Sequence, residues 1–272
     1  MGFFTEEEAR LSDAFMQSGY VIAPAEDRAA LDRIRQEVAT RAATFLELPA
    51  PTPSEQGAFL DNIGARLDPA RLNALRLAVI DAISVAPWFR EAYFRTARSL
   101  LQTLAGNELA MQRGVGFAIQ LPGDESSLLP LHSDVWSEDS PFEVVLWIPL
   151  VDCFRTKSMF VLPLEADARW RDRMHEFSNA SVEAFTKAAE ADLRFLDVPY
   201  GHVLVFTHTM MHGNRVNRET TARWSFNVRF KGLFTPYSDK QLGDFFEPIT
   251  LRSATRVGMG YRLPGGFNGS TS

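Results

Sequence analysis

Residues 131–136 read Leu131-His132-Ser133-Asp134-Val135-Trp136, and further on the chain reads Met211-His212-Gly213-Asn214-Arg215-Val216-Asn217. In extended backbone, residues two apart point to one face, so His132 and Asp134 can offer an imidazole nitrogen and a carboxylate oxygen to one ion. Alone, a His-x-Asp pair is close to chance in a chain with five histidines and 34 acidic residues. A polar surface turn is the plain alternative, and the surrounding pattern decides between them.

From about residue 110 the apolar period shifts from helical to strand-like. Six runs are rich in Val, Ile, Phe and Trp with Pro and Gly between them: Met111 to Leu121, Phe142 to Asp152, Ser158 to Pro163, Leu193 to Val198, His202 to Thr209 and Trp224 to Leu233. This predicts an antiparallel barrel or sandwich. The polar stretch Ala166 to Asp192 interrupts it, with at least one helix starting near Ser181 and with Arg169, Arg171 and Arg173 as a solvated face or an anion contact.

The first hundred residues carry helical stripes instead. Leu31, Ile34, Val38, Ala42 and Phe45 form one, Leu72, Leu75, Val79 and Ile83 another after an Asp68-Pro69 start, and Phe89, Tyr93, Ala97, Leu100, Leu101 and Leu104 a third. Gly19 stops the first helix before the short strand Tyr20-Val21-Ile22. The expected organisation is a single catalytic domain over 1–272, with 1–110 mostly helical support, 111–233 the β core and 234–272 a C-terminal wrap.

Composition narrows the chemistry. A hydrophobic content of 46% in 272 residues supports a substantial core, and the net charge of −6 argues against nucleic acid as the partner. A small-molecule substrate is easier to accept. The longest apolar run, Val144 to Val151, is about half a membrane span. The start of the chain lacks the pattern of a signal peptide. Cys153, the sole cysteine, excludes an intramolecular disulfide and a Cys-based metal cage, so a cytoplasmic setting is expected.

His212, from a distant strand, completes with His132 and Asp134 a two-histidine, one-carboxylate set, which leaves three positions open on an octahedral ion and suits non-haem Fe(II) oxygen chemistry. Eleven residues after His212 stands Arg223-Trp224-Ser225. Arg223 can take a carboxylate bidentately, and Ser225, facing the same way, can add a hydroxyl donor. His208 precedes His212 by four residues, a spacing that aligns ligands on a helix but not on a strand. It is read as a packing residue or a hydrogen-bond partner of the site. A non-oxidative cupin-like barrel binding a metal or a sugar remains the alternative, but it leaves Arg223 unexplained; a degenerate oxygenase kept as a scaffold is a third.

With these residues in place, the sequence resembles the Fe(II)- and 2-oxoglutarate-dependent oxygenases, and within them the phytanoyl-CoA dioxygenase-like family. The match runs from Gly19-Tyr20-Val21-Ile22 through His132-Ser133-Asp134, Trp147-Ile148-Pro149-Leu150-Val151-Asp152 and Met159-Phe160-Val161-Leu162-Pro163. It continues through Gly201 to Phe206, His212-Gly213-Asn214 with Asn217, and Arg223, spanning residues 12 to 231. Each piece is weak alone; their order is specific. Thr156-Lys157-Ser158 stands where the family carries Asn-Gly, and His202 where it carries Asp.

The resemblance implies a double-stranded β-helix (jelly-roll, cupin-like) core, mainly β with helical N-terminal support. It implies Fe(II), 2-oxoglutarate and O2, with His132, Asp134 and His212 as catalytic iron ligands. Arg223, helped by Ser225, would hold the distal carboxylate of 2-oxoglutarate. Gln120 is a further candidate contact or an ordinary strand residue. The reaction implied is hydroxylation of a substrate C–H bond with release of succinate and CO2. Halogenating relatives carry a small residue where Asp134 stands, so Asp134 favours hydroxylation. The stretch Ser140 to Pro163 looks like a bacterial surface-carbohydrate subgroup, which points to a sugar or nucleotide-sugar, with acyl and natural-product substrates as rivals. Trp136, Arg215, Arg218 and Arg229 are candidates for the substrate mouth.

Overall fold

Thr5 accepts a hydrogen bond from Glu8 N, and the Glu8 carboxylate reaches back to Thr5 N, a capping box that starts α1 (Glu6–Ser18). Gly19 ends it at φ 78°, a left-handed conformation open to glycine, and the chain leaves as β1 (Tyr20–Pro24). The computed structural model describes residues 2–67 and 69–263; Asp68, expected to cap a helix, and the end of the expected wrap, 264–272, lie outside the described residues.

Asp27 caps α2 (Arg28–Phe45), which buries Leu31, Ile34, Val38 and Ala42 as their spacing requires. There follow α3 (Gln56–Asp61), α4 (Pro69–Ser84), α5 (Phe89–Arg95) and α6 (Arg98–Ala105). The third stripe, expected as one helix, breaks between α5 and α6. The carbonyl of Thr96 is taken by Glu26 N at 2.9 Å, while the Glu26 carboxylate accepts from Ser99 N and Leu100 N at 2.9 and 3.0 Å. One side chain thus restarts the helix as a cap does. Among the described residues no single helix is long and apolar enough to cross a membrane.

The strand half forms two sheets. The larger holds β1, β2 (Leu109–Gln112), β3 (Gly116–Gln120), β4 (Glu143–Pro149), β7 (His202–Thr207), β9 (Arg223–Gly232) and β10 (Phe246–Pro248), in the order β1-β7-β4-β9-β2-β10 with β3 also on β9. The smaller is β6-β5-β8, from Arg194–Phe195, Phe160–Val161 and His212–Gly213. Every pairing is antiparallel. The run Met111 to Leu121, expected as one strand, is two, both laid on β9. Between β5 and β6 run α7 (Leu164–Arg173) and α8 (Val182–Ala188), the latter capped by Ser181 as expected. After β10 comes α9 (Ser253–Gly260).

β9 organises the interior because its two faces do different work. Trp224, Phe226, Val228 and Phe230 are fully buried in the core shared with the helices: Phe226 stacks on Phe117 and meets Phe89 and Tyr93 edge-on, and Trp224 Nε1 donates to Leu60 O at 2.8 Å. The alternate residues Arg223, Ser225, Asn227 and Arg229 face a cavity instead. A strand covered on one face by helices and open on the other to a hollow is what the expected jelly roll needs.

Candidate metal centre

A cavity of about 290 Å3 is lined by β9 and by Ala118, Val145, Trp147 and Phe206 of the larger sheet. His212 and Gly213 of the smaller sheet close it, with Met159 just before β5 and with His132 and Asp134 beside them. One ligand atom from each of His132, Asp134 and His212 lies within 4.8 Å of one from each of the others. His132 Nε2 stands 3.7 Å from Asp134 Oδ1, and the two imidazole centroids are 4.4 Å apart. The three residues expected to converge do so.

The local backbone differs from the strand premise. His132 forms a lone antiparallel bridge with His212, and Asp134 opens a 3-10 turn, Asp134–Ser137. Ser133 between them is extended (φ −119°, ψ 135°), with its hydroxyl donating to the carbonyls of His208 and Thr209. That single extended residue keeps His132 and Asp134 on one side.

Both histidines are held in the same way. His132 Nδ1 lies 2.8 Å from Pro130 O and His212 Nδ1 2.9 Å from Met210 O. A carbonyl only accepts, so Nδ1 carries a proton in each ring, which leaves Nε2 as the atom to face the cavity. Burial pushes the His212 pKa down to about 4, against the opposing field of Asp134, so the ring is neutral at physiological pH. Burial works against ionisation of Asp134, but His212, Arg229, His208 and His132 together outweigh it and hold the carboxyl below its ordinary range. Arg229 Nη2 stands 3.2 Å from Asp134 Oδ1. Two imidazoles and one carboxylate form a donor set that fits a divalent first-row metal.

At the other end of the same strand face, Arg223 is buried, and no anion, hydrogen-bond acceptor or ring pairs with its side chain among the described residues; its Nε is an unmet buried donor. Burial pulls its pKa down. A buried cation without a counter-ion is costly unless a ligand supplies one. Ser225 lines the cavity two residues along. Gln120 pairs with Arg223 across the β3–β9 ladder, but it is not among the cavity's lining residues, and its Nε2 donates to Arg215 O at 2.6 Å. It ties the segment joining His212 to Arg223.

Of the candidates for the mouth, only Arg229 lines the cavity. Arg215 pairs with Glu183 at 2.6 Å, and Trp136 projects from the 3-10 turn, partly exposed. Arg169, Arg171 and Arg173, themselves exposed, pair with Asp192, the buried Asp167 and Glu176. Sequence reasoning missed Asp139 and Glu143, which meet His208 behind Asp134. The signal available was Glu143 itself, an acid at the head of an apolar strand run.

No protein-family model matches the chain, and no curated protein matches it in sequence. Solved structures do match. The non-haem monooxygenase ThoJ, as its nickel complex, aligns with a TM-score of 0.51 at 17% identity over 82% of this chain and 77% of its own. HygX from Streptomyces hygroscopicus, with nickel and 2-oxoglutarate bound, aligns at 0.51 with 14% identity over 86% and 89%. EctD from S. alaskensis, with bound Fe, aligns at 0.54 with 14% identity over 86% and 81%. The fold is the expected jelly roll, shared with these structures. At these identities the likeness is one of fold, and the site stands on its own geometry.

Proposed function

We propose that this chain is a non-haem Fe(II)- and 2-oxoglutarate-dependent oxygenase that hydroxylates a C–H bond of a small cytoplasmic molecule, with the motif order of the phytanoyl-CoA dioxygenase-like group. The observation that carries this reading is Arg223, a buried guanidinium without an anion, in one cavity with two imidazoles and a carboxylate. A barrel that only stores metal or binds a neutral sugar gains nothing from such a group.

His132, Asp134 and His212 would hold the iron, and Arg223 with Ser225 the distal carboxylate of 2-oxoglutarate. When bound, iron and 2-oxoglutarate supply the oxidising chemistry with O2, and succinate and CO2 leave. The chain's own residues position and exclude. Val145, Met159 and Phe206 give the cavity dry walls, and Leu129 covers its rim. The amide of Asn227, which has no hydrogen-bond partner among the described residues, and the guanidinium of Arg229 face the same space. Those polar groups suit a hydroxyl-bearing substrate such as a sugar or nucleotide-sugar. That structures of this fold hold Fe, or Ni with 2-oxoglutarate, supports the assignment of the cofactors.

The test is anaerobic reconstitution with Fe(II) and 2-oxoglutarate, followed by a succinate assay in air. The expected results are a visible charge-transfer band and slow succinate release even without substrate. His132→Ala, Asp134→Ala and His212→Ala should each lose iron. Stoichiometric iron in all three variants would remove the site assignment, and absence of succinate from iron-loaded protein would remove the reaction.

A further inference from the structure

Behind Asp134, on the side away from His132, three side chains are walled into the protein: Asp139, Glu143 and His208, none more than 3% exposed. One ligand atom from each lies within 4.8 Å of one from each of the others. Each is anchored through one polar atom. Asp139 Oδ2 takes Lys240 Nζ at 2.5 Å, Glu143 Oε1 takes Ser140 N at 3.1 Å, and His208 Nε2 lies 2.6 Å from Ser140 O. The other atom of each, Asp139 Oδ1, Glu143 Oε2 and His208 Nδ1, is buried and has no hydrogen-bond partner.

The chemistry of those three atoms points one way. Carboxylate oxygens accept only. Because His208 Nε2 faces a carbonyl and must carry the ring proton, Nδ1 of the neutral imidazole presents a lone pair. His208 Nδ1 stands 3.9 Å from Glu143 Oε2 and 3.7 Å from Asp134 Oδ2, so with the carboxyls ionised, lone pairs face one another with no donor between them. A water has two protons for three or four acceptors; a metal cation satisfies all of them. Nor does a lysine or arginine pair directly with Glu143 among the described residues. Lys231 lies directly across the ladder from it, but its ammonium donates to Pro236 O at 2.6 Å and sits 3.5 Å from the centre of the Tyr237 ring. Among the described residues, His208 alone comes within ion-pair distance of Glu143.

We propose that Asp139, Glu143 and His208 form a second metal site, for a divalent first-row ion such as Zn2+, Mn2+ or Co2+, with Asp134 as the wall shared with the first. An imidazole and carboxylates select such ions over Ca2+ or Mg2+, which take oxygen only. Lys240 and Arg229 already lie 2.5 and 3.6 Å from Asp139 Oδ2. Their charge opposes a second cation, so this ion binds more weakly than the first, by about tenfold or more. Because Asp134 turns Oδ1 to His132 and Oδ2 to His208, occupancy of the second site orients the carboxylate that serves the first.

The inference shares Asp134 with the proposed iron site but does not depend on 2-oxoglutarate chemistry. Full-length protein stripped with a chelator is titrated with Co(II) and followed by absorption, with bound cobalt counted after desalting. Wild type should take two equivalents, the second weaker. Glu143→Gln and Asp139→Asn should each take only the tight one, and His212→Ala only the weak one. Circular dichroism checks that each variant is folded; should one fail to fold, the other variant and the wild-type stoichiometry decide. Saturation of the wild type at one equivalent, or two equivalents in a folded Glu143→Gln or Asp139→Asn, overturns the second site. Two equivalents in His212→Ala would instead count against the first site and leave this one standing.

Discussion

His132 and His212 are bonded to each other through their main chains, His132 N to His212 O at 3.0 Å and His212 N to His132 O at 2.8 Å. Two residues that exchange both backbone bonds present their side chains on one face, which brings the imidazoles together before any metal does. The next residue makes that bridge possible. A Cβ on Gly213 would lie 2.5 Å from Leu129 O and 2.7 Å from the Phe160 ring, with Leu129 O already accepting from Asn214 N at 2.8 Å. Gly213→Ala should cost about 1–3 kcal/mol of stability and weaken Co(II) binding although it adds a single methyl. Urea unfolding with a parallel metal titration tests this; unchanged affinity would mean that the bridge does not set the ligand spacing.

Arg223 sets up an opposition between stability and binding. With no counter-ion for its buried guanidinium, Arg223→Met should raise the stability of the cofactor-free protein by about 1–2 kcal/mol. The same variant should lose about 100-fold or more in affinity for 2-oxoglutarate while keeping iron, since a charge-assisted bidentate contact disappears. Thermal unfolding with and without 2-oxoglutarate reads both effects. A variant that is less stable without 2-oxoglutarate, and just as stabilised by it, would show that the arginine serves packing alone.

The polar excursion between β5 and β6 does more than its composition suggests. Met211 N donates to Asp167 Oδ1 at 2.7 Å and Leu131 N to Thr186 Oγ1 at 3.0 Å, so α7 and α8 each hold the residue just before a ligand histidine. Asp167→Ala would leave a buried amide unmet, at about 1–3 kcal/mol, and should loosen metal binding from outside the cavity. Burial raises the Asp167 pKa, so its charge is a burden; Asp167→Asn, which keeps an acceptor for Met211 N without that charge, should restore both properties. Equal metal affinity in the wild type, Asp167→Ala and Asp167→Asn would sever α7 from the site.

How much of this could be read from sequence follows from what makes a signal local. Helical stripes, the Gly19 stop, the alternation along β9 and the set His132, Asp134, His212 and Arg223 are periodicities or spacings, so they survive in one dimension. The break at Thr96–Ala97 is not local. It is made by Glu26, some seventy residues away, and nothing within the stripe announces it. Gln120 is a candidate contact from its place on the strand leading to His132, and the structure puts it on a ladder rung with Arg223. Its amide nitrogen is taken by the Arg215 carbonyl, a contact set by tertiary packing that nothing local announces. Glu143 and Asp139 escaped for the opposite reason. Acids are common, and only the fold places these two behind Asp134 with His208.

Cys153 supplies a prediction with a definite pH sign. It is buried, its Sγ lies 3.5 Å from Val151 O, and burial pushes its pKa up to about 12 from an ordinary value of 9.0. The native thiol should resist iodoacetamide at pH 8 and react only once denatured, because the thiolate is the nucleophile. A raised folded pKa means that the native state keeps its proton while the unfolded state releases it. The contribution of the neutral thiol is therefore whole below pH 9 and is lost as pH climbs through 9 towards 12. Compared with Cys153→Ala, the wild type should lose stability by about 1.4 kcal/mol for each pH unit above 9. Urea unfolding of both proteins at pH 8, 9 and 10 measures that difference; parallel profiles would show that the thiol ionises as readily in the folded chain as in the unfolded one.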